Sequence, residues 1–437
     1  MELFSPQQQK ALALYQKYDR FYDNQFNQEE KDSLDVDARF YIAANITRSI
    51  IDVTPDFLLG ETPKITSDKQ ESQNVIDAIT KTSDMGTIFY DASLIASLKG
   101  KSYIKLYLKQ GSIYAQVIQP DNVVPTYDLY GQLSEVTVLT LIESFEDQTE
   151  LVLKEQLTPD FIKRSLVVLD KQKQFREVRA LDSHPMTSLL KAKEENPFKV
   201  LPIIELKNNT KAQSDIAGCE ALILAINKRL SEIDYIITKH ADPKLRVPIG
   251  LLDRYRGYDA VDDGHTVFVY QEDGIENKDF KVIEAGTDDE IQYIQPNLNL
   301  EAAYEELDRL VNYLLNQTKT STALIQSIKD GSGVESGKAL RLKLLNTERK
   351  LRQKKVFITK ALREYYRLAQ MMLHYEPSEI DIEYADILND REMNMDNAVK
   401  LYNANIISKR EALRVAYPNA SEEMILSLFT EYLEELQ

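Results

Sequence analysis

The sequence contains few of the residues that disulfide-bonded, turn-rich or membrane-spanning proteins require. Its one cysteine, Cys219, has no partner for an internal disulfide bond, which fits a reducing cytoplasm or a compartment where disulfides are not needed. The 14 glycines are about 3% of the chain against a typical value of about 7%, which favours helices over a turn-rich all-β fold. No run of about 18 apolar residues occurs, and the first residues lack the basic start and apolar stretch of a signal peptide. We therefore expect a protein that neither spans a membrane nor is secreted.

An excess of positive charge is also missing. The formal net charge is −17, which excludes a protein that holds nucleic acid over its whole surface. The charge is unevenly distributed, because residues 336–374 contain eleven Lys and Arg against two Glu and carry +9, leaving −26 for the rest. The tail from 375 to 437 carries −9. An acidic chain with a single basic segment is expected to place that segment at one specific location.

The apolar pattern predicts a helix-rich α+β fold. Apolar residues make up 43% of the chain, enough for a hydrophobic core, and the length allows about three compact units. Helical spacing predicts helices over 5–22, with Leu12, Tyr15, Tyr18 and Phe21 on one face, and over 41–59 and 72–97. Alternating segments typical of a meandering sheet follow at 102–108, 112–118, 133–142, 150–153, 161–169 and 175–180.

Ser214 is predicted to cap the next helix, and the strands 246–251, 266–270 and 280–283 are predicted to form small hairpins. Residues 338–375 contain no Pro or Gly and are predicted to form one long helix. The predicted boundaries are 1–214 (α+β), 215–243 (helix), 244–296 (small β unit), 297–317 (returning helix), 318–335 (loop), 336–384 (long basic helix and a strand) and 385–437 (acidic helices).

No motif in the sequence supports catalysis. The segment Ser332 to Ala339 is the nearest match to a nucleotide-binding loop, but Ser332 replaces its first glycine and Ala339 its magnesium-binding hydroxyl. The four histidines have no metal-ligand spacing to one another, and Cys219 lies in the apolar stripe of a predicted helix. We therefore predict no enzymatic activity, no metal and no cofactor; the competing hypothesis, a nucleotide-dependent enzyme, would require Lys338 to bind a phosphate.

The basic segment has three interpretations. It is a solvated helix face or one neutralised by acids on a neighbouring chain, a rod that contacts DNA, or a coiled coil. The apolar positions Leu340, Leu344, Leu351, Ile358 and Leu362 do not follow a strict heptad, which counts against the coiled coil. Neutralisation by acidic neighbours is favoured, because the rest of the chain has an excess of acidic residues.

Several short blocks resemble those of bacteriophage portal proteins of the SPP1-type family, in the same order and at similar spacing. The resemblance extends from about Arg39 to the end of the chain. The blocks are Ala44-Asn45-Ile46, Phe57-Leu58-Leu59-Gly60-Glu61-Thr62-Pro63, Gly100-Lys101-Ser102-Tyr103, Leu201-Pro202-Ile203, Lys207-Asn208-Asn209, Ser214-Asp215-Ile216, His240-Ala241-Asp242-Pro243, Ser336-Gly337-Lys338-Ala339-Leu340 and Ile406-Ile407-Ser408-Lys409-Arg410-Glu411-Ala412-Leu413.

The resemblance implies a structural role in a virion. It implies a homo-oligomeric ring of about twelve subunits at one capsid vertex, assembled in the host cytoplasm, through which double-stranded DNA is packaged and ejected. The implied partners are the terminase large subunit, which is the separate motor, the major capsid and scaffolding proteins, and the head–tail adaptor. In the family's terms 1–214 would be the wing, 215–243 and 297–317 the stem helices, 244–296 the clip, 318–335 the tunnel loop, 336–384 the long wing helix with its returning strand, and 385–437 the crown.

The resemblance also implies two sets of site residues. The candidates for light contacts to the DNA backbone in the tunnel loop are Ser327, Lys329, Asp330, Ser332 and Ser336. The candidates for docking a partner at the clip are Arg254, Tyr255 and Arg256, for which a plain surface turn is the alternative. The alternative function is that of a cellular nucleic-acid-binding structural protein that uses the basic helix 336–374.

Overall fold

The chain divides into two compact units. The computed structural model describes residues 4–32, 41–67, 69–146, 149–170, 173–240, 244–247, 282–284, 292–294, 300–324, 337–385, 391–417 and 425–430. One unit comprises residues 1–25, 45–218 and 315–437, and the other comprises 26–44 and 219–314. The predicted helix-rich α+β class is confirmed.

The first unit contains most of the helices. They are α1 (Pro6–Tyr22), α3 (Ile46–Leu59), α4 (Gln70–Thr82), α5 (Met85–Lys99), α8 (Gly337–Met372), α9 (Arg391–Asn403) and α10 (Lys409–Ala416), while α2 (Gln28–Asp32), α6 (Glu220–His240) and most of α7 (Leu300–Gln317) belong to the second unit. The predicted N-terminal helix is confirmed: Ser5 caps α1 in a capping box with Gln8, and Leu12, Tyr18 and Phe21 are buried on its apolar face.

The strands of the first unit form three antiparallel sheets. They are β1 (Lys64–Ser67) with β14 (Ile380–Glu383); β2 (Lys101–Lys109) between β3 (Ser112–Ile118) and β10 (Ile203–Lys207); and the meander β4 (Val123–Tyr127), β5 (Leu133–Ser144), β6 (Glu150–Leu157), β7 (Phe161–Leu169) and β8 (Phe175–Arg179), with β9 (Lys193–Glu195) also paired to β7. The predicted meandering sheet is thus confirmed, whereas β1, β4, β9 and β10 were not predicted.

The largest hydrophobic core lies where α8 packs against α4, α5 and the β2–β3–β10 sheet. Tyr365 of α8 is buried edge-on against Phe89 of α5, with ring centroids 5.4 Å apart, and its neighbour Tyr366 is buried in the same cluster. The Tyr366 hydroxyl lies 2.6 Å from the Thr80 hydroxyl of α4. The C-terminal half of the basic helix is therefore held on one side by aromatic packing.

Three predicted helix boundaries are wrong. The stretch from Ser72 to Ser97 is two helices, because Asp84 adopts a left-handed conformation (φ 49°) between α4 and α5. Helix α3 begins at Ile46 instead of Tyr41, with the Asn45 side chain accepting a hydrogen bond from the Arg48 amide. Helix α6 begins at Glu220 and not after Ser214, since residues before it form a turn that ends at Gly218 with φ 81°.

The second unit contains α2, α6, α7 and a small sheet. Strand β11 (Lys244–Val247) lies between β12 (Val282–Glu284), which is parallel to it, and β13 (Gln292–Ile294), which is antiparallel. Because β11 and β12 are parallel, these two strands do not form a hairpin with each other. The predicted strand 266–270 lies outside the described residues. Arg229 of α6 pairs with Glu306 of α7 at 2.7 Å, which joins the two helices.

Candidate functional site

The long helix α8 begins after the predicted tunnel loop, and the residues entering that loop are anchored on it. The Ser321 amide donates a hydrogen bond to the Thr347 hydroxyl at 2.8 Å, and Thr347 is only 1% exposed. Just before it, the Thr320 amide donates to the Leu315 carbonyl at 2.8 Å, closing the end of α7. Residues 318–321 are therefore fixed on the helix.

One turn further along the same face of α8, two lysines converge on one buried carboxylate. The Asp215 carboxylate lies 2.9 Å from the Lys350 ammonium and 2.5 Å from that of Lys354, and the three side chains are between 6% and 8% exposed. Lys354 also donates a hydrogen bond to the Ser97 hydroxyl at 2.9 Å, and the Asn208 amide donates to Asp215 at 2.8 Å. We call Asp215, Lys350 and Lys354 the buried ion cluster.

The turn that carries Asp215 is fixed by its own backbone. The Asp215 amide donates a hydrogen bond to the Ser97 carbonyl at 2.9 Å, and the Ser214 hydroxyl donates to the same carbonyl at 3.2 Å. The Ser214 hydroxyl in turn accepts from the Ile216 amide at 3.3 Å. Ser214 therefore stabilises a turn that presents Asp215 to the long helix, and it does not cap α6.

The buried ion cluster contains two basic side chains and only one acidic side chain. Burial would raise the pKa of the Asp215 carboxyl, but the charges of Lys350 and Lys354 and the Asn208 hydrogen bond outweigh it and lower that pKa to about 2. Burial lowers the pKa of the Lys354 ammonium to about 8, although Asp215 opposes this change. Asp215 is therefore charged at neutral pH, and one of the two lysines is held at an energetic cost.

The opposite side of α8 exposes a second set of bases. We define the basic stripe as Arg352, Lys355, Lys360, Arg363 and Arg367, all of which are exposed. Exposed ion pairs join Arg352 to Glu348, and Arg367 to Glu364 at 2.6 Å. The Lys355 ammonium lies 4.5 Å from the centre of the Tyr384 ring. Ion pairs this exposed contribute little to stability, so they leave the stripe available for a partner.

Neutralisation of the basic segment by acids on a neighbouring chain stays a prediction, but two of its eleven bases pair with an acid of the same chain. Lys350 and Lys354 find Asp215 within the first unit. Sequence reasoning did not identify this pairing. The spacing of the two lysines gave no signal for it, because Arg363 and Arg367 of the same helix are also four residues apart and are exposed.

Metal binding and membrane insertion receive no support from the described parts of the chain. No group of three or more His, Cys, Asp or Glu there is arranged to hold a metal ion. None of the helices in those ranges combines the length and the apolar character that crossing a bilayer requires.

Comparison with known proteins identifies the family. The family model for phage portal proteins, SPP1 Gp6-like, matches residues 4–431. The chain belongs to this portal family. No curated protein sequence matches it.

Solved structures with a similar arrangement come from gene transfer agent (GTA) particles. The neck of an empty GTA particle, computed with C6 symmetry, has 9% identity and a TM-score of 0.48, covering 86% of this chain and 91% of that one. The neck of a native GTA particle, computed with C12 symmetry, has 10% identity and a TM-score of 0.46, covering 95% of each chain. The virion of a native GTA particle has 10% identity and a TM-score of 0.44, covering 85% and 89%.

Family membership makes the protein a phage-type portal, a class of structural proteins of the virion. Both sets of portal site candidates lie outside the described residues. These are Ser327, Lys329, Asp330, Ser332 and Ser336 in the predicted tunnel loop, and Arg254, Tyr255 and Arg256 in the predicted clip. Their roles stay predictions, and the described site consists of the anchored loop entry, the buried ion cluster and the basic stripe.

Proposed function

We propose that the protein forms a ring of about twelve subunits at one capsid vertex and that double-stranded DNA passes through its channel during packaging and ejection. The ring has no catalytic activity of its own, and it offers docking sites to the terminase and to the head–tail connector. The family model over residues 4–431 is the observation that carries this proposal.

A half-covered apolar face on α7 supports assembly. Leu300, Ala303, Leu307, Leu310 and Val311 follow helical spacing, and each is only partly buried within the described chain. Tyr304 on the same helix is 46% exposed. A neighbouring subunit that covers this face removes more apolar surface from water, which stabilises the assembly, so a ring buries this face more completely than a monomer does.

The charge distribution supports passage of DNA over tight binding. Each phosphate contact adds affinity and would slow translocation, and the chain as a whole carries −17. Lys350 and Lys354 are buried against Asp215, which removes two of the bases of the 336–374 segment from contact with phosphates. For the same reason the alternative, a cellular nucleic-acid-binding protein that uses this helix, is less well supported than its +9 charge suggests.

The proposed parts of the portal follow the predicted boundaries, with 1–214 and 336–384 as the wing and its long helix, 215–243 and 297–317 as the stem, 244–296 as the clip, 318–335 as the tunnel loop and 385–437 as the crown. We propose that Ser327, Lys329, Asp330, Ser332 and Ser336 contact the DNA backbone lightly. We propose further that Arg254, Tyr255 and Arg256 dock a partner protein at the clip.

The mass and shape of the purified full-length protein test this function. Light scattering and single-particle electron microscopy should give a closed ring of about a dozen 50.2 kDa chains with a channel wide enough for a duplex, about 20 Å. A compact monomer or dimer that persists at high concentration would contradict the ring. Tight, strongly salt-dependent binding of short duplexes by that monomer would favour the alternative.

A further inference from the structure

The basic stripe has chemical features of a protein-binding surface. Lys360 and Arg363 lie at its centre, and neither forms an ion pair with another residue in the described ranges. Between the bases, Val356 is 67% exposed on the same face. A surface that combines charge with an exposed apolar side chain is better matched by a protein than by a phosphate backbone, which offers no apolar group in return.

The first unit also carries an exposed strip of the opposite charge. We define the acidic strip as Glu376, Glu379, Asp381 and Glu383, which are exposed along the chain leading into and through β14. The strip follows from strand alternation, because Ile380 and Tyr384 point into the core while Asp381 and Glu383 point outward. No ion pair neutralises these four acids within the described chain, although Lys64 lies across the β1–β14 pair from Glu383.

We propose that the basic stripe of one copy docks on the acidic strip of the neighbouring copy. This inference rests on the proposed ring and names a contact that closes it. A ring needs a heterologous interface, in which two different surfaces of each subunit meet. This subunit has two surfaces of opposite charge that form no ion pair with each other within the described chain, and Lys360 and Arg363 at the centre of the stripe have no acidic partner there. Such complementarity sets the register of the two copies and repels an incorrect pairing.

A second copy is favoured over DNA as the occupant because its acidic strip supplies the charge that complements the stripe, whereas a phosphate backbone offers nothing to the exposed Val356. The remainder of the chain outside 336–374 carries −26, so a neighbouring copy supplies the acidic charge without any further molecule.

Charge-swap variants of the full-length protein test this contact. The first variant combines Lys360→Glu with Arg363→Glu, and the second combines Glu379→Lys with Asp381→Lys. Each places like charges opposite one another in every interface of its own ring. We expect each to raise the concentration at half-assembly, measured by sedimentation velocity, by about tenfold or more.

Mixing the two variants restores opposite charges at every interface if they alternate around the ring. We therefore expect the equimolar mixture, and the single chain carrying all four changes, to assemble within about threefold of the wild-type concentration. The control for the first variant, Lys109→Glu with Lys191→Glu, changes the net charge by the same amount as that variant at exposed positions elsewhere and should assemble as the wild type does.

The outcomes separate this inference from the proposed function. Wild-type rings together with unimpaired assembly of both charge variants would overturn the contact and leave the portal function standing. The contact would also be overturned if each variant assembles poorly and the equimolar mixture does not restore assembly. If the first variant forms normal rings but loses duplex binding, the basic stripe would be assigned to DNA instead. A wild-type chain that never forms rings would contradict the portal ring itself and the contact with it.

Discussion

Replacing Asp215 by asparagine should destabilise the first unit much more than removing one of the lysines that it pairs with. Asparagine keeps the shape of the side chain and can still accept the hydrogen bond from Asn208, so the change removes little more than the negative charge. Two ammonium groups, Lys350 and Lys354, would then lie next to each other in the interior without a counter-ion.

The expected cost follows from the burial of the cluster. Leaving one member of a buried ion pair without its partner typically costs about 3–5 kcal/mol. That is a large part of the roughly 5–15 kcal/mol that stabilises a folded protein. Lys350→Met instead removes the excess charge and leaves Asp215 paired with Lys354, so we expect a loss below about 1 kcal/mol.

The two variants can be compared by thermal unfolding together with hydrogen exchange. A chain of two units need not unfold in one step, so exchange in peptides covering 205–218 and 345–358 reports on the cluster itself. Arg349→Met, which changes an exposed base on the same helix outside the basic stripe, is the matched control and should stay within about 0.5 kcal/mol of the wild type.

A double substitution distinguishes charge from packing. If uncompensated charge is the cause, Asp215→Asn should cost less when Lys350→Met is already present, because one buried ammonium then remains instead of two. Equal losses for Asp215→Asn and Lys350→Met, or strictly additive losses in the double variant, would refute the electrostatic account of the cluster.

Three further predictions concern the same unit. The pKa of Lys354 in the folded protein is lowered to about 8 from its usual value of 10.5, so the unfolded chain binds more protons between these pH values. Raising the pH from 8 to 9.5 should therefore raise the Tm of the wild type relative to that of Lys354→Met, and a parallel trend in both proteins would contradict this prediction. Gly100→Ala should lower the free energy of unfolding, measured by chemical denaturation, by more than about 2 kcal/mol, because a methyl group at φ 89° would lie 2.2 Å from a backbone oxygen. The control Gly131→Ala, at φ 75°, meets no atom within 4 Å and should lower it by only about 1 kcal/mol. Thr347→Val should leave the Ser321 amide without its hydrogen-bond acceptor, which should lower the free energy of unfolding by about 1–3 kcal/mol and accelerate limited proteolysis within 318–335. Unchanged cleavage would show that this hydrogen bond does not anchor the loop entry.

Local pattern was enough to predict the elements with long, regular spacing. The repeat of Leu12, Tyr18 and Phe21 gave α1 with its buried face, and the absence of Pro and Gly after Lys338 gave the long helix. Boundaries that depend on a single backbone conformation, such as the left-handed Asp84, were missed because helical periodicity continues on both sides of them.

Contacts between distant parts of the chain were not predictable. Strand β14 confirms the strand predicted at the end of 336–384, but its partner β1 is only four residues long and lies more than 300 residues earlier, so no local pattern indicates that the two pair. The same applies to Asp215, whose lysine partners lie on another element far along the sequence. The spacing of Lys350 and Lys354 does not distinguish them from Arg363 and Arg367, which are also four residues apart on α8 but are exposed.

The buried ion cluster and the loop anchor lie on two consecutive turns of one helix, and this has a mechanical consequence for the proposed portal. Thr347, Lys350 and Lys354 follow one another at spacings of three and four residues, so they share one face of α8. Moving the loop entry by shifting the helix would pull both lysines away from Asp215, which is held in place by backbone hydrogen bonds to Ser97. Because separating a buried ion cluster costs several kcal/mol, the helix is a rigid base for the loop. We therefore expect residues 318–321, at the entry of the predicted tunnel loop, to stay fixed on α8 when DNA passes through the proposed channel.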